Sequence, residues 1–358
     1  MNKRFALAAL AGLLVGVGAT VGFHAAEITW RRVRATSAAA VNPSPEKPAR
    51  AASAERVGPA PGPSAEAPTS LLPDQGWPAN APTPEQVMYA QPDLLDREIA
   101  QLKPRTPGRV NLYAIALAGD GSEDVFRNEA EYFKKLFTQR FHEAGHVLVL
   151  ENNPASPTTR PLADWSNLEA ALDAVAAKMD PQQDILLLYL TTHGSEDHTL
   201  LVDMDPLPLD QIGAQDLRGI LDEHPFKYKV VIVNACYSGG FIPPLRGPGT
   251  LVITAARADR SSFGCGEQSQ FTWFGHAFLV DALNHTGDFA QAFRFARREV
   301  AQWEERDGYT PSEPQMDSGT GIKAQLDAWQ KENPPGTPGP FKSAPQLHSA
   351  AIGSSARR

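Results

Sequence analysis

Two long apolar runs in this chain each end on a residue able to do chemistry. Ile185-Leu186-Leu187-Leu188-Tyr189-Leu190-Thr191-Thr192 leads into His193-Gly194, and Lys229-Val230-Val231-Ile232-Val233-Asn234-Ala235 leads into Cys236. Continuous runs of this kind read as strands buried on both faces. In an open α/β sheet ligands bind at the carboxyl ends of the strands. If the two strands are parallel neighbours, His193 and Cys236 meet at one sheet edge, and a cysteine beside a histidine is the minimal equipment for thiol nucleophilic catalysis. Taken singly, a cysteine after a strand is a small hydrophobe and a lone histidine carries no role. Four features coincide here: the paired strand ends, Gly194 after the histidine, Ala235 before the cysteine, and the turn Tyr237-Ser238-Gly239-Gly240 after it. Together they favour the dyad.

The elements that must position these residues alternate between strand and helix. Val110–Leu117 is predicted as the first strand, followed by a helix over Asp124–Glu143 whose Phe126, Phe133, Leu136, Phe137 and Phe141 recur at helical spacing. Further strands are predicted at His146–Leu150, Asp184–Thr192, Lys229–Asn234 and Leu251–Thr254, with a short hairpin arm at Leu200–Val202. Helices are predicted at Leu168–Met179, Leu217–Asp222, Phe274–Leu283 and Phe289–Trp303. Such alternation implies a mostly parallel sheet with helices on both faces, an α/β fold in three layers.

The 358 residues, 42% of them hydrophobic, are enough for one large or two small domains. A formal charge of −8 argues against nucleic acid as a partner. Two cysteines cannot build a disulfide framework, and Cys265 is expected to be a buried thiol outside the dyad. His142, His146, His198, His224 and His285 show no metal-ligand spacing with the cysteines, and Asp120-Gly121 reads as a turn. No phosphate-cradling glycine loop is evident, so neither a metal nor a cofactor is expected.

The chain opens on a basic head, Met1-Asn2-Lys3-Arg4, and an uncharged run from Phe5 to Phe23. This run is long for a signal-peptide core and just long enough for a membrane span. Residues 1–35 are therefore expected to be an anchor, or else a cleaved signal, and with no cysteine after the run a lipoprotein is not expected. Residues 36–85, dominated by Ala, Pro and Ser, read as a tether, residues 86–332 as the folded domain, and residues 333–358 as a disordered tail. The expected setting is a bacterial inner membrane with the domain on the periplasmic side. Lys3 and Arg4 favour that orientation, while Arg31, Arg32 and Arg34 oppose it.

The His-Gly and Ala-Cys blocks resemble the signature of the caspase–legumain–gingipain group of cysteine peptidases, and above all the legumain family, Peptidase C13, which includes the catalytic subunit of the GPI transamidase. Ala118–Glu131 runs without gaps along the legumain segment AGSNGWYNYRHQAD, and Thr254–Cys265 along TAANPRESSYAC. The resemblance covers roughly residues 109–285. It implies the three-layer caspase-like sandwich, a polypeptide substrate, Cys236 as nucleophile and His193 as base. It also implies oxyanion donors from the backbone of Gly194 and Cys236, with Gly194 leaving room for the substrate. Gly239 and Gly240 are assigned to the turn.

The same resemblance places a specificity pocket. Arg127 matches the arginine that holds an asparagine side chain in legumains, and Ser261 and Ser262 match a retained serine pair. Asn234 stands where legumains carry an acidic residue before Ala-Cys, and His276 takes an aspartate position. With those carboxylates replaced around Arg127, Asp is expected to rival or exceed Asn before the cleaved bond. A companion asparagine of the dyad falls at Val125, so no third catalytic residue carries over. The leading reading is a cysteine endopeptidase. A transamidase would use the same residues, and a non-catalytic envelope scaffold would have no need of both His193 and Cys236.

Overall fold

The computed structural model describes residues 81–266 and 269–339. The expected anchor and nearly all of the tether lie outside them, as do residues 340–358. The described chain is built on a six-stranded sheet whose order in space is β2-β1-β3-β6-β7-β8. Its strands are β1 (Leu112–Ala118), β2 (Val147–Glu151), β3 (Ile185–Thr191), β6 (Tyr228–Asn234), β7 (Thr250–Thr254) and β8 (Gln315–Ser318). The first five run parallel, and β8 closes one edge antiparallel to β7. A small arm pairs β4 (Thr199–Leu200) with β5 (Ile212–Gly213) antiparallel.

Alternation along β1 shows how one strand serves two cores. Leu112, Ala114, Ala116 and Ala118 face one layer, while Tyr113, Ile115 and Leu117 face the other. On the first side lie α3 (Asp124–Gln139), α9 (Phe289–Asp307) and α10 (Ile322–Glu332). With them packs a helix that begins as α7 (Trp273–Gly275), widens into a π-helical stretch over His276–Ala282, and ends as α8 (Leu283–His285). The small alanines of β1 leave room there for Phe126, Phe133, Phe137 and Phe141. On the second side lie α2 (Gln91–Ile99), α4 (Trp165–Lys178), α5 (Ala214–Asp222) and α6 (Ile242–Leu245), preceded in the chain by α1 (Pro84–Tyr89). The result is the three-layer arrangement expected from the strand–helix alternation.

Local caps explain several boundaries. Asp164 accepts from the Asn167 N–H at 2.8 Å and starts α4, Asp288 does the same for α9 through Gln291 at 2.9 Å, and Gly308 ends α9 in the left-handed region at φ 74°. α3 ends at Gln139, four residues earlier than its apolar spacing predicts, because the following turn takes His142 to φ 62°. β8 and α10 escape the sequence reading. Gln-Met-Asp-Ser has no alternation to betray an edge strand, and its burial is only partial. Residues 333–339, placed in a disordered tail by composition, are held on the domain. The Gly336 N–H donates to the Arg140 carbonyl at 2.7 Å, and the Gly339 N–H to Asn284 Oδ1 at 2.8 Å.

Candidate active site

β3 and β6 are parallel neighbours in register, with Thr191 opposite Asn234 and the Thr192 N–H donating to the Asn234 carbonyl at 3.3 Å. His193 and Cys236 each lie two residues beyond that pair, so the ladder delivers them side by side at the carboxyl edge. Gly194 makes the approach possible, since a Cβ there would overlap the Cys236 carbonyl oxygen. The lack of a side chain at Gly194 thus serves the packing of the two strand ends against each other. Among the described residues, neither the Gly194 nor the Cys236 N–H donates to another group.

Cys236 is half-buried and faces the loop after β7. The Ser262 N–H points at its sulfur from 3.3 Å, and the Ser262 hydroxyl and carbonyl oxygens both lie 3.6 Å away. Tyr237 turns the chain through the left-handed region at φ 55° and donates its N–H to the Arg260 carbonyl at 2.7 Å. Gly239 lies so close to the backbone of Arg257 and Ala258 that a side chain would collide with it. This glycine serves the docking of two loops, a role beyond the turn assigned to it. The turn after Cys236 is clamped to the segment that carries Ser262.

His193 is framed by two carboxylates. Its Nε2 lies 3.4 Å from Asp120 Oδ2 and 3.7 Å from Glu123 Oε2, and Phe126 packs edge-on against its ring. Asp120 is 1% exposed and is itself oriented by Ser122, whose N–H and hydroxyl donate to its two oxygens at 2.8 and 2.9 Å. Val125, in the position of the missing asparagine, is wholly buried in the core. Asp120 is thus both the turn residue that the sequence suggests and a neighbour of His193 that the sequence does not reveal. Its place was legible in one respect: it follows the carboxyl end of β1, beside the point where the strand order reverses between β1 and β3.

The pocket assignments need correction at Asn234. Its side chain is fully buried and donates through Nδ2 to Glu129 Oε2 at 2.7 Å. Glu129 projects from α3 and also accepts from the Tyr189 hydroxyl at 2.8 Å, the Thr191 hydroxyl at 2.5 Å, and the Thr272 N–H and hydroxyl at 2.7 Å each. Burial pushes the Glu129 carboxyl above its ordinary range, and these donors pull it back. A carboxylate lost from the strand position is thus returned by the neighbouring helix. Buried there, the Asn234 amide is held by Glu129 inside the core.

The remaining predicted residues separate. Arg127 is partly exposed, reaching Asn153 Oδ1 at 3.2 Å and Asp124 at 3.8 Å. Ser261 is half-buried beside Ser262 in the loop facing Cys236, but only Ser262 touches the sulfur. His276 pairs through Nδ1 with Asp281 at 2.8 Å and packs against Phe271 and Trp303, which places it on the α7–α9 face. The buried bystander thiol, Cys265, is only partly buried. Burial pushes its thiol up, and its sulfur lies within 4.8 Å of ligand atoms of His193 and Glu123.

The arrangement supplies a thiol, a histidine backed by carboxylates, and two backbone amides without acceptors at one sheet edge. The sequence profile of the Peptidase C13 family matches residues 166–322, a little under half of the chain, and this stretch contains His193 and Cys236. No curated protein matches the chain as a relative. Among solved structures it is similar to the crystal structure of caspase-1 from Spodoptera frugiperda, at 15% identity and a TM-score of 0.42, over 60% of this chain and 94% of that one.

Proposed function

We propose that this chain is a cysteine peptidase of the Peptidase C13 type. The observation that carries the reading is the register of β3 and β6, which sets His193 and Cys236 side by side with Asp120 behind the histidine. Because Nε2 faces the carboxylates, it holds the ring proton and donates toward Asp120, leaving Nδ1 as the base. Nδ1 takes the proton of the Cys236 thiol as the sulfur attacks the substrate carbonyl, forming a C–S bond and an oxyanion. The amides of Gly194 and Cys236 receive that negative charge. Collapse of the tetrahedral species breaks the C–N bond. The imidazolium gives its proton to the leaving amine, and a thioester remains on Cys236. Water, deprotonated by the same nitrogen, releases the acid and restores the thiol.

Arg127 is the residue we assign to recognition of the side chain before the cleaved bond, with Asn or Asp as the accepted types. The test is mass spectrometry of the chain after treatment with an electrophilic peptide probe, alongside peptide-library hydrolysis. Labelling should fall on Cys236, and Cys236→Ala and His193→Ala should each lower turnover by at least about a thousandfold. Labelling elsewhere, or substantial turnover by either variant, would remove the dyad. A clear preference for Lys or Arg before the cleaved bond would remove Arg127 from the pocket.

A further inference from the structure

We propose that Glu123, His193 and Cys265 form a binding site for a thiophilic divalent cation of the zinc type, and that filling it takes the histidine out of service. One ligand atom from each lies within 4.8 Å of the other two, although the residues come from the segment after β1, the end of β3 and the loop after β7. A carboxylate oxygen, an imidazole nitrogen and a thiolate sulfur are the donor set of a borderline-soft ion. With metal–sulfur bonds of about 2.3 Å and metal–nitrogen or –oxygen bonds of about 2.1 Å, such a tetrahedron has edges of about 3.5 Å. Occupancy would therefore draw the three ligand atoms closer together than they stand here.

The scaffold already links two of the three ligands, because the Gly266 N–H donates to Glu123 Oε2 at 3.2 Å. Charge favours a cation as well. Among the described residues the ion pairs of Asp120 and Glu123 are with His193 alone, so a neutral imidazole leaves two carboxylates facing no fixed positive charge. All three ligand residues are partly exposed, which gives an ion a way in. Binding forms a metal–sulfur bond and releases the Cys265 thiol proton to solvent, with no change of oxidation state. An ion on Nε2 takes the lone pair of that nitrogen, so the ring proton passes to Nδ1, which can then no longer accept the proton of Cys236. The inhibitory consequence rests on the peptidase reading; the binding does not.

The experiment uses the full chain with Co²⁺ as the optical probe and Zn²⁺ as the inhibitor. A thiolate-to-cobalt charge-transfer band in the near ultraviolet should appear in the native chain and in Cys236→Ala, and vanish in Cys265→Ser. Zn²⁺ should suppress peptide hydrolysis reversibly by chelator. Cys265→Ser should hydrolyse normally without metal and need at least about tenfold more Zn²⁺ for the same suppression. A band lost in Cys236→Ala but kept in Cys265→Ser would put the ion on the nucleophile and overturn the proposal. Equal zinc sensitivity of the native chain and Cys265→Ser would do the same. A band that follows Cys265 in a chain with no peptidase activity would retain the site and sink the functional reading instead.

Discussion

At the scale of single residues, the least visible contributor is Asp120. It is held almost out of solvent, oriented by Ser122, and set 3.4 Å from His193 Nε2. In the proposed mechanism a buried carboxylate in that place would orient the ring and stabilise the imidazolium that forms as the thiol is deprotonated. Asp120→Asn should therefore lower kcat by about tenfold to a hundredfold with little change in KM, and with Cys236 still labelled by the electrophilic probe. Loss of labelling together with a broadened melting transition would mean that Asp120 serves the fold alone. His193 and Cys236 could be read from the sequence because each ends an apolar run. Asp120 could not, because an Asp-Gly pair after a strand has an equally good local explanation as a turn. The neighbours of Cys265 are hidden for a related reason: Glu123 and His193 come from two distant segments that spacing within the chain does not reveal.

Elements tell a different story about legibility. The two central strands and α3 were plain, since apolar runs and helical periodicity follow directly from burial on two faces or one. What the pattern could not show is that α3 lends the sheet a charge. Glu129 joins α3 to β3, β6 and the start of α7 through Tyr189, Thr191, Asn234 and Thr272, all beneath the catalytic edge. Removing the carboxylate strands several donors where water does not reach. Glu129→Ala should cost about 3 kcal/mol or more of stability, read as a fall in the denaturant midpoint with an unchanged slope. Glu129→Gln should be only partly milder, because its amide presents a donor to neighbours that already donate. A neutral result for both would mean that packing around Phe133 and Phe126, without the buried network, carries this junction.

For the whole molecule, Glu151 provides a proton-linked contribution to stability. It ends β2, is 3% exposed, and has one carboxylate oxygen without a partner. Burial pushes its carboxyl up to about 7. A folded state that holds a proton more tightly than the unfolded one is favoured below the ordinary carboxyl range, and loses that advantage as pH rises to about 7. The loss amounts to about 3 kcal/mol, and above that pH no more is lost. Glu151→Gln should therefore raise the melting temperature at pH 8 and change it little at pH 4; an equal gain at both would show that Glu151 does not titrate in this window. Compartment is also a property of the entire chain. Among the described residues no helix is long and apolar enough to cross a membrane, and the apolar run at Phe5–Phe23 lies outside them. We propose an envelope protein with its domain on the outer side of the inner membrane. Protease added to spheroplasts should then degrade the domain, whereas survival until that membrane is broken would place it in the cytoplasm.

The last described segment completes the far side of the core. Trp329 of α10 is fully buried against Phe141 and Phe289 and donates its indole N–H to Glu143 at 2.7 Å, and Gly336 then closes onto Arg140. Every residue of the proposed dyad and its loops lies well upstream of these contacts. On the ribosome, a nascent chain would expose His193 and Cys236 before it owns the indole that seals the layer containing α3. Synthesis order thus separates possession of the chemistry from possession of a finished core. Within the described domain, the last helix to emerge is the one that finishes the layer packed on α3.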